Sequence, residues 1–461
     1  MLGQKVMLDY DEMFRPPVNR SMRILDRSFF KKKVPLAAAQ VLDNRRIPEV
    51  RTALKEDILR VERISAVRVD PETKDKKTGA KSLYLKPEIR PTDTSTWSTK
   101  LHQLVTENQV HVLPVELDLN YDYWTYYDII SSILPLDDHD NIPKGFTVAG
   151  HIAHLNLREP YLPYKKLIAD IIVDKNPNVR TVINKTEKVG MHSEYRTFSY
   201  EVLAGDPSMD VEVKEAECIF RFDYSKVYWN SRLSTEHERL VKRFCQGEAV
   251  CDVMAGVGPF AVPAGKQKVF VWANDLNPDS YESLVQAISV NKVLPFVRPF
   301  NEDGRNFIRI ATQKLLGQRY SVDLSTLKRV RRDGQTKQPE PEILAQPKTF
   351  AHYVMNLPAS ATSFLDAFIG IYVGQENLFV PNTTTKLPMV HVYCFSTKSE
   401  DDKPERIKIC KEISERIGYI IKPEDEEVEI WNVRETAPSV CIFCASFRLP
   451  PEVAFRVVDK L

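Results

Sequence analysis

The chain has 461 residues and a formal net charge of +1, and 43% of its residues are hydrophobic and 28% charged. This length favours two or three domains over a single core, and no apolar run approaches the roughly 20 residues that span a bilayer. The near-neutral charge argues against a protein that coats nucleic acid with its whole surface, but it allows local basic patches that grip one RNA.

The seven cysteines are odd in number and scattered, which favours a reducing compartment and free thiols. Cys441 and Cys444 form a C-x-x-C pair inside an apolar, strand-like run, with no second pair nearby. We expect buried structural thiols there, and no metal site is predicted. The N-terminus lacks the apolar core of a secretory signal, and its acidic residues weaken, without excluding, a mitochondrial transit peptide.

The first 115 residues contain a basic cluster at 27–33 and two polar stretches, 70–81 and 90–100, which we interpret as loops or disordered connectors. Between residues 116 and 230, short apolar segments alternate with turn signals, and this pattern predicts a small α+β domain. The helices expected in this block are 121–134 and 164–170, and the expected strands are 146–157, 170–173, 179–183, 197–203 and 210–223.

From residue 231 onward helix and strand candidates alternate, which predicts an α/β domain with a mostly parallel sheet and helices on both faces. An antiparallel pair of strands is expected at its end, near 427–433 and 439–447. We interpret the polar stretch 318–348 as a surface insertion, either a mobile loop or a basic arm that touches RNA. The remaining expected helices are 235–245, 259–266, 279–291, 304–316, 361–370 and 403–418, and the remaining strands are 249–254, 268–273, 297–300, 350–355 and 390–395.

The segment 249–264 predicts a nucleotide-type site. It reads as an apolar strand that reaches Asp252, a turn that contains Gly256 and Gly258, and a helix whose first N–H groups are free. A dinucleotide fingerprint would need a third glycine, but Ala261 stands at that position. The alternative is that both glycines serve only a tight turn between strand and helix.

Two further acids follow the next two strands. Asp275, with Leu276 beside it, is placed to accept hydrogen bonds from both hydroxyls of a ribose. Asp303, with Gly304 beside it, is placed to receive an adenine amino group. This order of acids and glycines on three successive strands predicts S-adenosylmethionine as the cofactor. Asn356 ends the fourth strand in an N-L-P turn that either aims an amide at a planar base or simply ends the strand.

Four motifs together resemble the eukaryotic and archaeal tRNA (guanine-37-N1) methyltransferases: D-V-M-A-G-V-G-P-F, N-D-L-N-P, N-L-P-A-S-A and K-V-Y-W-N-S-R-L-S-T-E-H-E-R-L. The segments G-H-I-A-H-L-N-L and P-P-V-N-R-S-M-R-I-L-D-R-S-F-F agree with the eukaryotic branch, with a fungal source as the expectation. The resemblance covers nearly the whole chain, apart from 318–348 and the linkers near 70–110.

The resemblance implies three domains. These are an N-terminal tRNA-binding region at 1–115, an α+β domain at 116–230 that helps to hold the anticodon loop, and a class I (Rossmann-like) methyltransferase domain at 231–461. The implied reaction moves a methyl group from S-adenosylmethionine to N1 of guanosine 37 in tRNA. We further expect a monomer with no membrane partner in the cytoplasm, with mitochondrial and nuclear pools left open.

By this resemblance, the residues that catalyse the reaction or bind the base in the family correspond to Arg196, Tyr228, Glu236 and Asn356. Leu357 replaces the first proline of the family's usual N-P-P turn. Guanine N1 carries a proton, so a carboxylate base at Glu236 fits the chemistry. A guanidinium at Arg196 would stabilise the charge that builds on O6. Tyr228 and Asn356 would then line a pocket for a flipped nucleotide.

Other interpretations stay open. Glu236 follows Ser234 and Thr235, either of which would cap the helix, and a helix start is also a common place for a purely structural acid. Arg196 is alternatively a surface ion pair, and Tyr228 a core side chain. The alternative functions are transfer of the aminocarboxypropyl group of the same cofactor, as in a related family of the wybutosine pathway, and tRNA binding without catalysis. The intact strand-end acids and glycines speak against the last.

Overall fold

The structure, a computed structural model, describes residues 10–69, 81–135, 142–143, 145–186, 195, 197, 199–327 and 340–457. The chain divides into two compact units. The first comprises Met1–Gly145, Leu157–Asn178 and Leu203–Gly205. The second comprises Phe146–Asn156, Val179–Val202 and Asp206–Leu461. The three-domain division of the chain stays a prediction.

The first unit is built around four strands: β1 (Lys32–Val41), β2 (Val67–Val69), β3 (Lys81–Tyr84) and β4 (Val110–Leu119). They form an antiparallel sheet in the order β2-β3-β1-β4. β1 pairs with β4 along its whole length, so the sheet continues through the boundary predicted at residues 115 and 116. One buried cluster joins this sheet to neighbouring helices and includes Ala37, Ala39, Val41, Leu101 and Leu104.

The helices of the first unit are α1 (Tyr10–Met13), α2 (Ile47–Ala53), α3 (Thr99–Thr106), α4 (Tyr126–Ile133) and α5 (Lys165–Lys175), with 3-10 helices at Arg27–Phe30, Asn44–Arg46, Thr94–Thr96 and Glu159–Tyr164. The helix predicted from residue 121 begins only at Tyr126, because Thr125 and Asp128 form a capping box there. The strand predicted at 170–173 is wrong. Those residues lie in α5, which buries Leu167, Ile168, Ile171 and Ile172 at helical spacing.

The stretch 90–100 is an ordered loop that leads into α3, rather than a disordered connector. It contains the 3-10 helix Thr94–Thr96, which Asp93 caps, and Ser98, whose hydroxyl accepts a hydrogen bond from Leu101 N and caps α3. Serine, threonine and aspartate serve helix caps as readily as loops, and composition does not separate the two. Residues 70–80 of the other polar stretch lie outside the described residues.

The second unit contains two small β structures. One is the sheet β5-β6-β7-β8, formed by Thr147–Ala149, Ile152–Leu155, Thr181–Lys185 and Tyr200–Gly205, of which Leu203–Gly205 is grouped with the first unit. The other is the hairpin of β9 (Asp210–Glu215) and β10 (Cys218–Asp223). The single strands predicted at 146–157 and 210–223 are each two. Gly150 turns the first at φ +56°, and Ala216 and Glu217 turn the second with φ values of 47° and 59°.

A seven-stranded sheet forms the centre of the second unit, in the order β13-β12-β11-β16-β17-β19-β18. Its strands are β11 (Ala249–Asp252), β12 (Phe270–Asn274), β13 (Val297–Phe300), β16 (His352–Met355), β17 (Met389–Thr397), β18 (Val428–Ala437) and β19 (Val440–Arg448). The first five strands in spatial order are parallel, and β19 and β18 add the expected antiparallel pair. Every residue of β11 and β12 is buried, as expected for strands covered on both faces.

The helices of this unit are α6 (Ser234–Val241), α7 (Ala261–Lys266), α8 (Pro278–Val290), α9 (Gly304–Gly317), α10 (Lys403–Ile417) and α11 (Pro451–Ala454), with 3-10 helices at Ser231–Leu233, Leu324–Leu327, Ala361–Phe368 and Glu376–Leu378. The α/β fold with a mostly parallel sheet is therefore confirmed. The helix expected at 361–370 is a 3-10 helix. Within the predicted insertion 318–348, β14 (Ser321–Asp323) pairs with β15 (Ile343–Ala345), and 328–339 lie outside the described residues.

Cys441 and Cys444 are buried free thiols on β19, as expected. They are three residues apart on a strand, so their side chains lie on opposite faces of the sheet. Among the residues that the structure describes, no group of three or more histidine, cysteine, aspartate or glutamate side chains is arranged to hold a metal ion. The helices found in the described ranges are all too short or too polar to cross a membrane.

Candidate active site

The carboxyl ends of β11, β12, β13 and β16 meet at one edge of the parallel sheet. After β11 the chain continues to β12 and β13 on one side, and it returns later to β16 on the other side. Ligands of open α/β sheets bind at such a reversal of strand order. The structure thereby brings together Asp252, Asp275, Asp303 and Asn356, which the sequence predicts at four strand ends.

Asp252 is the last residue of β11 and is fully buried. Neither carboxylate oxygen has a hydrogen-bond partner among the described residues. Burial, and in second place the charge of Asp275, raises the pKa of Asp252 well above its usual range, and the Met254 backbone N–H opposes this rise to a smaller extent. A buried acid without partners is costly, so this position suits a ligand that brings a donor or a positive charge.

Gly256 and Gly258 form the turn between β11 and α7, both with positive φ. A Cβ on Gly256 would meet no atom within 4 Å, so open space lies above this part of the backbone. A Cβ on Gly258 would lie 2.7 Å from Leu284 Cδ1 and 2.9 Å from Val262 Cγ2. Gly258 is therefore required by packing as well as by the turn, whereas Gly256 leaves room for a ligand.

Asp275 follows β12 and ties the glycine turn to its own loop. Gly256 N donates to its Oδ2 at 2.8 Å, and Asn277 N donates to its Oδ1 at 3.0 Å. Burial of the carboxylate raises the pKa of Asp275, and these two backbone bonds partly oppose that shift. Each oxygen keeps one further acceptor site, which suits two ribose hydroxyls. Leu276 beside it is exposed and offers an apolar surface.

Asn274 is a buried residue of this edge that was not predicted from the sequence. Its amide nitrogen donates to Val253 O at 3.0 Å and to Glu302 O at 2.9 Å, and its Oδ1 accepts from Glu302 N at 2.9 Å. One side chain thus fixes the ends of β11, β12 and β13 relative to one another. The N-D-L-N-P motif contains this asparagine, but only the strand order shows what it joins.

Asp303 is the N-cap of α9, and its Oδ1 accepts hydrogen bonds from Arg305 N and Asn306 N, both at 3.1 Å. The capping uses one oxygen and leaves Oδ2 for a ligand. Gly304 is buried, and a Cβ there would lie 3.2 Å from Val253 Cγ1. The glycine therefore lets α9 begin directly beside the end of β11.

Asn356 follows β16, is half-buried, and its amide forms no hydrogen bond to any residue that the structure describes. The turn after it is held despite Leu357 in place of proline, because Leu357 O accepts from Ser360 N at 2.9 Å and from Ala361 N at 2.8 Å. Phe395 N also donates to Pro358 O at 3.2 Å. The amide thus stands on a fixed turn and is available to a ligand.

Tyr228 is 36% exposed, so core packing does not account for it. The segment that carries it is tied to the loop after β12, because Asn277 Nδ2 donates to Lys226 O at 2.8 Å. Two arginines that were not predicted lie near Tyr228. Arg232 follows it in the same segment, and Arg434 Nη1 donates to Arg232 O at 3.2 Å. Burial, then the charge of Arg232, lowers the pKa of Arg434, whereas Tyr228 opposes that shift.

Glu236 lies in the first turn of α6 and is 3% exposed. Neither Ser234 nor Thr235 caps this helix; its N-cap is Leu233, with no side-chain hydrogen bond. The expectation of a serine or threonine cap is therefore wrong, because α6 continues directly from the 3-10 helix Ser231–Leu233. Glu236 is also no cap itself.

Glu236 instead binds side chains. Arg239 Nε donates to its Oε2 at 2.6 Å and Arg239 Nη2 to its Oε1 at 2.7 Å, and the Tyr393 hydroxyl donates to Oε1 at 2.7 Å. Neither partner was predicted. In the strand register Val392 pairs with Met355, so Tyr393 on β17 stands level with Asn356 after β16. Arg196 lies outside the described residues, and its role stays a prediction.

Comparison with known proteins agrees with this geometry. The TRM5/TYW2 methyltransferase domain matches residues 211–324, and the TYW2 N-terminal domain matches residues 126–208. The tRNA (guanine(37)-N(1))-methyltransferase of Aspergillus fumigatus is 56% identical over 98% of this chain and 97% of its own. The enzyme of that name from Schizosaccharomyces pombe is 44% identical over 94% of this chain and 95% of its own.

Two solved structures share the fold. WT Trm5b from Pyrococcus abyssi has a TM-score of 0.55 and 21% identity over 90% of this chain and 99% of its own. aTrm5, solved in complex with tRNALeu, has a TM-score of 0.58 and 18% identity over 90% of this chain and 100% of its own. The resemblance read from the motifs is confirmed by the fungal relatives, and the chain belongs to the family of tRNA (guanine(37)-N(1))-methyltransferases.

Proposed function

We propose that this chain transfers a methyl group from S-adenosylmethionine to N1 of guanosine 37 in tRNA. The observation that carries the proposal is 56% identity, over 98% of the chain, to a tRNA (guanine(37)-N(1))-methyltransferase. The edge of the sheet that holds Asp252, Asp275 and Asp303 supports it independently, because it has the acceptors that an adenosine with a charged substituent needs.

The residues present fit S-adenosylmethionine. The unpartnered Asp252 accepts a donor or positive charge, the space above Gly256 admits the ligand, and the open sites of Asp275 accept the ribose hydroxyls. The free Oδ2 of Asp303 accepts the adenine amino group, and Leu276 packs against the ring. When bound, the cofactor supplies a methyl group that its sulfonium activates for transfer.

The chain's own residues handle the guanine. Glu236 removes the N1 proton, which frees the lone pair that attacks the methyl group. Arg196 stabilises the negative charge that the deprotonated ring places on O6. Tyr228 and Asn356 hold the flipped base, the first by its exposed ring and the second by its unpaired amide.

The first unit contributes to tRNA binding in this proposal. Of the basic cluster at 27–33, Arg27 pairs with Asp174 at 2.8 Å and Lys33 with Glu116 at 2.7 Å, so part of its charge is already compensated. Arg23 is exposed and stacks over the Tyr164 ring at 4.4 Å, an arrangement that also suits an RNA base or phosphate. We further propose that the protein is a monomer and that it acts in the cytoplasm.

The decisive experiment uses two tRNA transcripts that differ only in guanosine or adenosine at position 37, each incubated with labelled S-adenosylmethionine. We expect label in the guanosine transcript alone, and mass spectrometry of the nucleoside should find one added methyl group. An added aminocarboxypropyl group would instead support the alternative reaction. Equal labelling of both transcripts, or none, would contradict the proposal.

Replacing Asp275 by alanine should weaken S-adenosylmethionine binding about 10- to 100-fold, because hydrogen bonds to a charged group contribute about 1.5–3 kcal/mol. Titration calorimetry measures the effect. The matched control is Glu282→Ala, which removes an exposed acid from the neighbouring α8 and should leave the affinity unchanged. Unchanged affinity in a folded Asp275→Ala variant would place the cofactor elsewhere.

A further inference from the structure

The carboxylate of Glu236 is held by three donors on two different elements. Arg239, one turn along α6, forms a two-pronged ion pair with both oxygens, and the Tyr393 hydroxyl from β17 adds a third bond to Oε1. The three donor–acceptor distances are 2.6, 2.7 and 2.7 Å. A solvated surface acid has no such set of fixed partners.

Counting acceptor sites shows what these donors leave free. An ionised carboxylate has about four lone-pair sites, two on each oxygen. The fork of Arg239 takes one on each oxygen, and Tyr393 takes the second on Oε1. Among the described residues no donor takes the remaining site, which lies on Oε2. Glu236 can therefore accept a further proton donor at one place only.

The donors themselves are fixed. The Arg239 guanidinium lies 5.2 Å from the centre of the Trp431 ring, and its side chain is 18% exposed. Tyr393 is buried on β17, where its strand-register partner on β19 is Cys444. Burial lowers the pKa of Arg239, but its hydrogen bonds to Glu236, together with the neighbouring charges of Cys444, Glu236 and Tyr393, raise that pKa overall. Burial, then Cys444 and Glu236, raises the pKa of Tyr393 well above its usual range.

We propose that Arg239 and Tyr393 are positioning residues for methyl transfer, which leave Glu236 a single open lone-pair site on Oε2 and thereby direct it at guanine N1–H. The inference rests on the proposed role of Glu236 as the base. Among the described residues, the titratable groups that face Glu236 are Arg239 on its own helix, Tyr393 on β17 and Cys444 on β19. A carboxylate held in this orientation presents its free lone pair on Oε2 to the N1 proton that the reaction removes.

The test is the pH dependence of single-turnover methylation, at saturating tRNA and S-adenosylmethionine, in Tyr393→Phe. Loss of one hydrogen bond to the charged form favours protonation. The midpoint of the acid limb should therefore move to higher pH. The rate should fall severalfold at the acid end and approach the parent rate at high pH. Arg239→Lys, which cannot form the fork, should move the midpoint in the same direction.

The matched control is Tyr372→Phe. Tyr372 is also fully buried, and its hydroxyl lies 3.4 Å from that of Tyr353 rather than beside Glu236. Its pH profile should match that of the parent. Profiles of Tyr393→Phe and Arg239→Lys that run parallel to the parent at every pH would overturn the inference. Failure of the proposed function is distinct, because the parent itself would then show no methylation specific to guanosine 37. Failure of the proposed role of Glu236 would appear as full activity of Glu236→Gln.

Discussion

Glu236→Gln should slow single-turnover methyl transfer by about 10²–10⁴-fold, the usual contribution of a general base. Glutamine keeps the shape of the side chain, and its one carbonyl oxygen can still accept from Tyr393 and from one arm of Arg239, but it cannot take the N1 proton. The rate of the parent should rise with pH as the carboxylate ionises, and this rise should disappear in the variant. Binding of tRNA and cofactor should persist, as measured by filter binding and calorimetry.

The fold of this variant needs its own control. Glu236 is 3% exposed and pairs with Arg239, whose side chain is 18% exposed, and removing one partner of a buried ion pair costs about 3–5 kcal/mol. The double variant Glu236→Gln/Arg239→Gln removes both charges and should recover part of the lost thermal stability without recovering activity. Rates within about threefold of the parent in folded Glu236→Gln, short of the general-base range, would reduce Glu236 to a structural partner of Arg239.

The parallel sheet of the second unit could be predicted closely from sequence. Its strands are buried on both faces and read as apolar runs, and the helices between them have apolar residues at helical spacing. The two hairpins at Gly150 and at Ala216 could not be predicted from sequence, because each strand pair is joined by a tight turn inside one apolar pattern. The sequence predicts a helix and then a strand where the structure has the single helix α5, because the isoleucine-rich part of this helix is also typical of a strand.

The candidate site, too, could be predicted only in part. The acids at the strand ends were predictable, because parallel strands bring their carboxyl ends to one edge whatever the details of packing. The partners of Glu236 were not, since Tyr393 lies 157 positions further along the chain and meets it only through the packing of α6 on the sheet. Asn274 is similar, because its bonds join loops that are adjacent only in the folded strand order.

Arg196→Ala should slow the chemical step by about 10²–10³-fold, the usual effect of removing one donor from a developing oxyanion. The proton leaves N1 and the charge moves to O6, so a guanidinium that meets O6 acts mainly in the transition state. Single-turnover rates at saturating tRNA exclude effects on binding. The matched control is Arg180→Ala, an exposed arginine of the same unit, which should react at the parent rate.

The pH profile separates Arg196 from Glu236. In Arg196→Ala the base is intact, so the rate should be low at every pH but should still rise with pH as in the parent. In Glu236→Gln the rise should be absent. Arg196→Lys retains the charge but not the planar fork of donors, so it should recover only part of the rate. A lost pH dependence in Arg196→Ala would show that the arginine controls the ionisation of the base, and stabilisation of O6 would then need another donor.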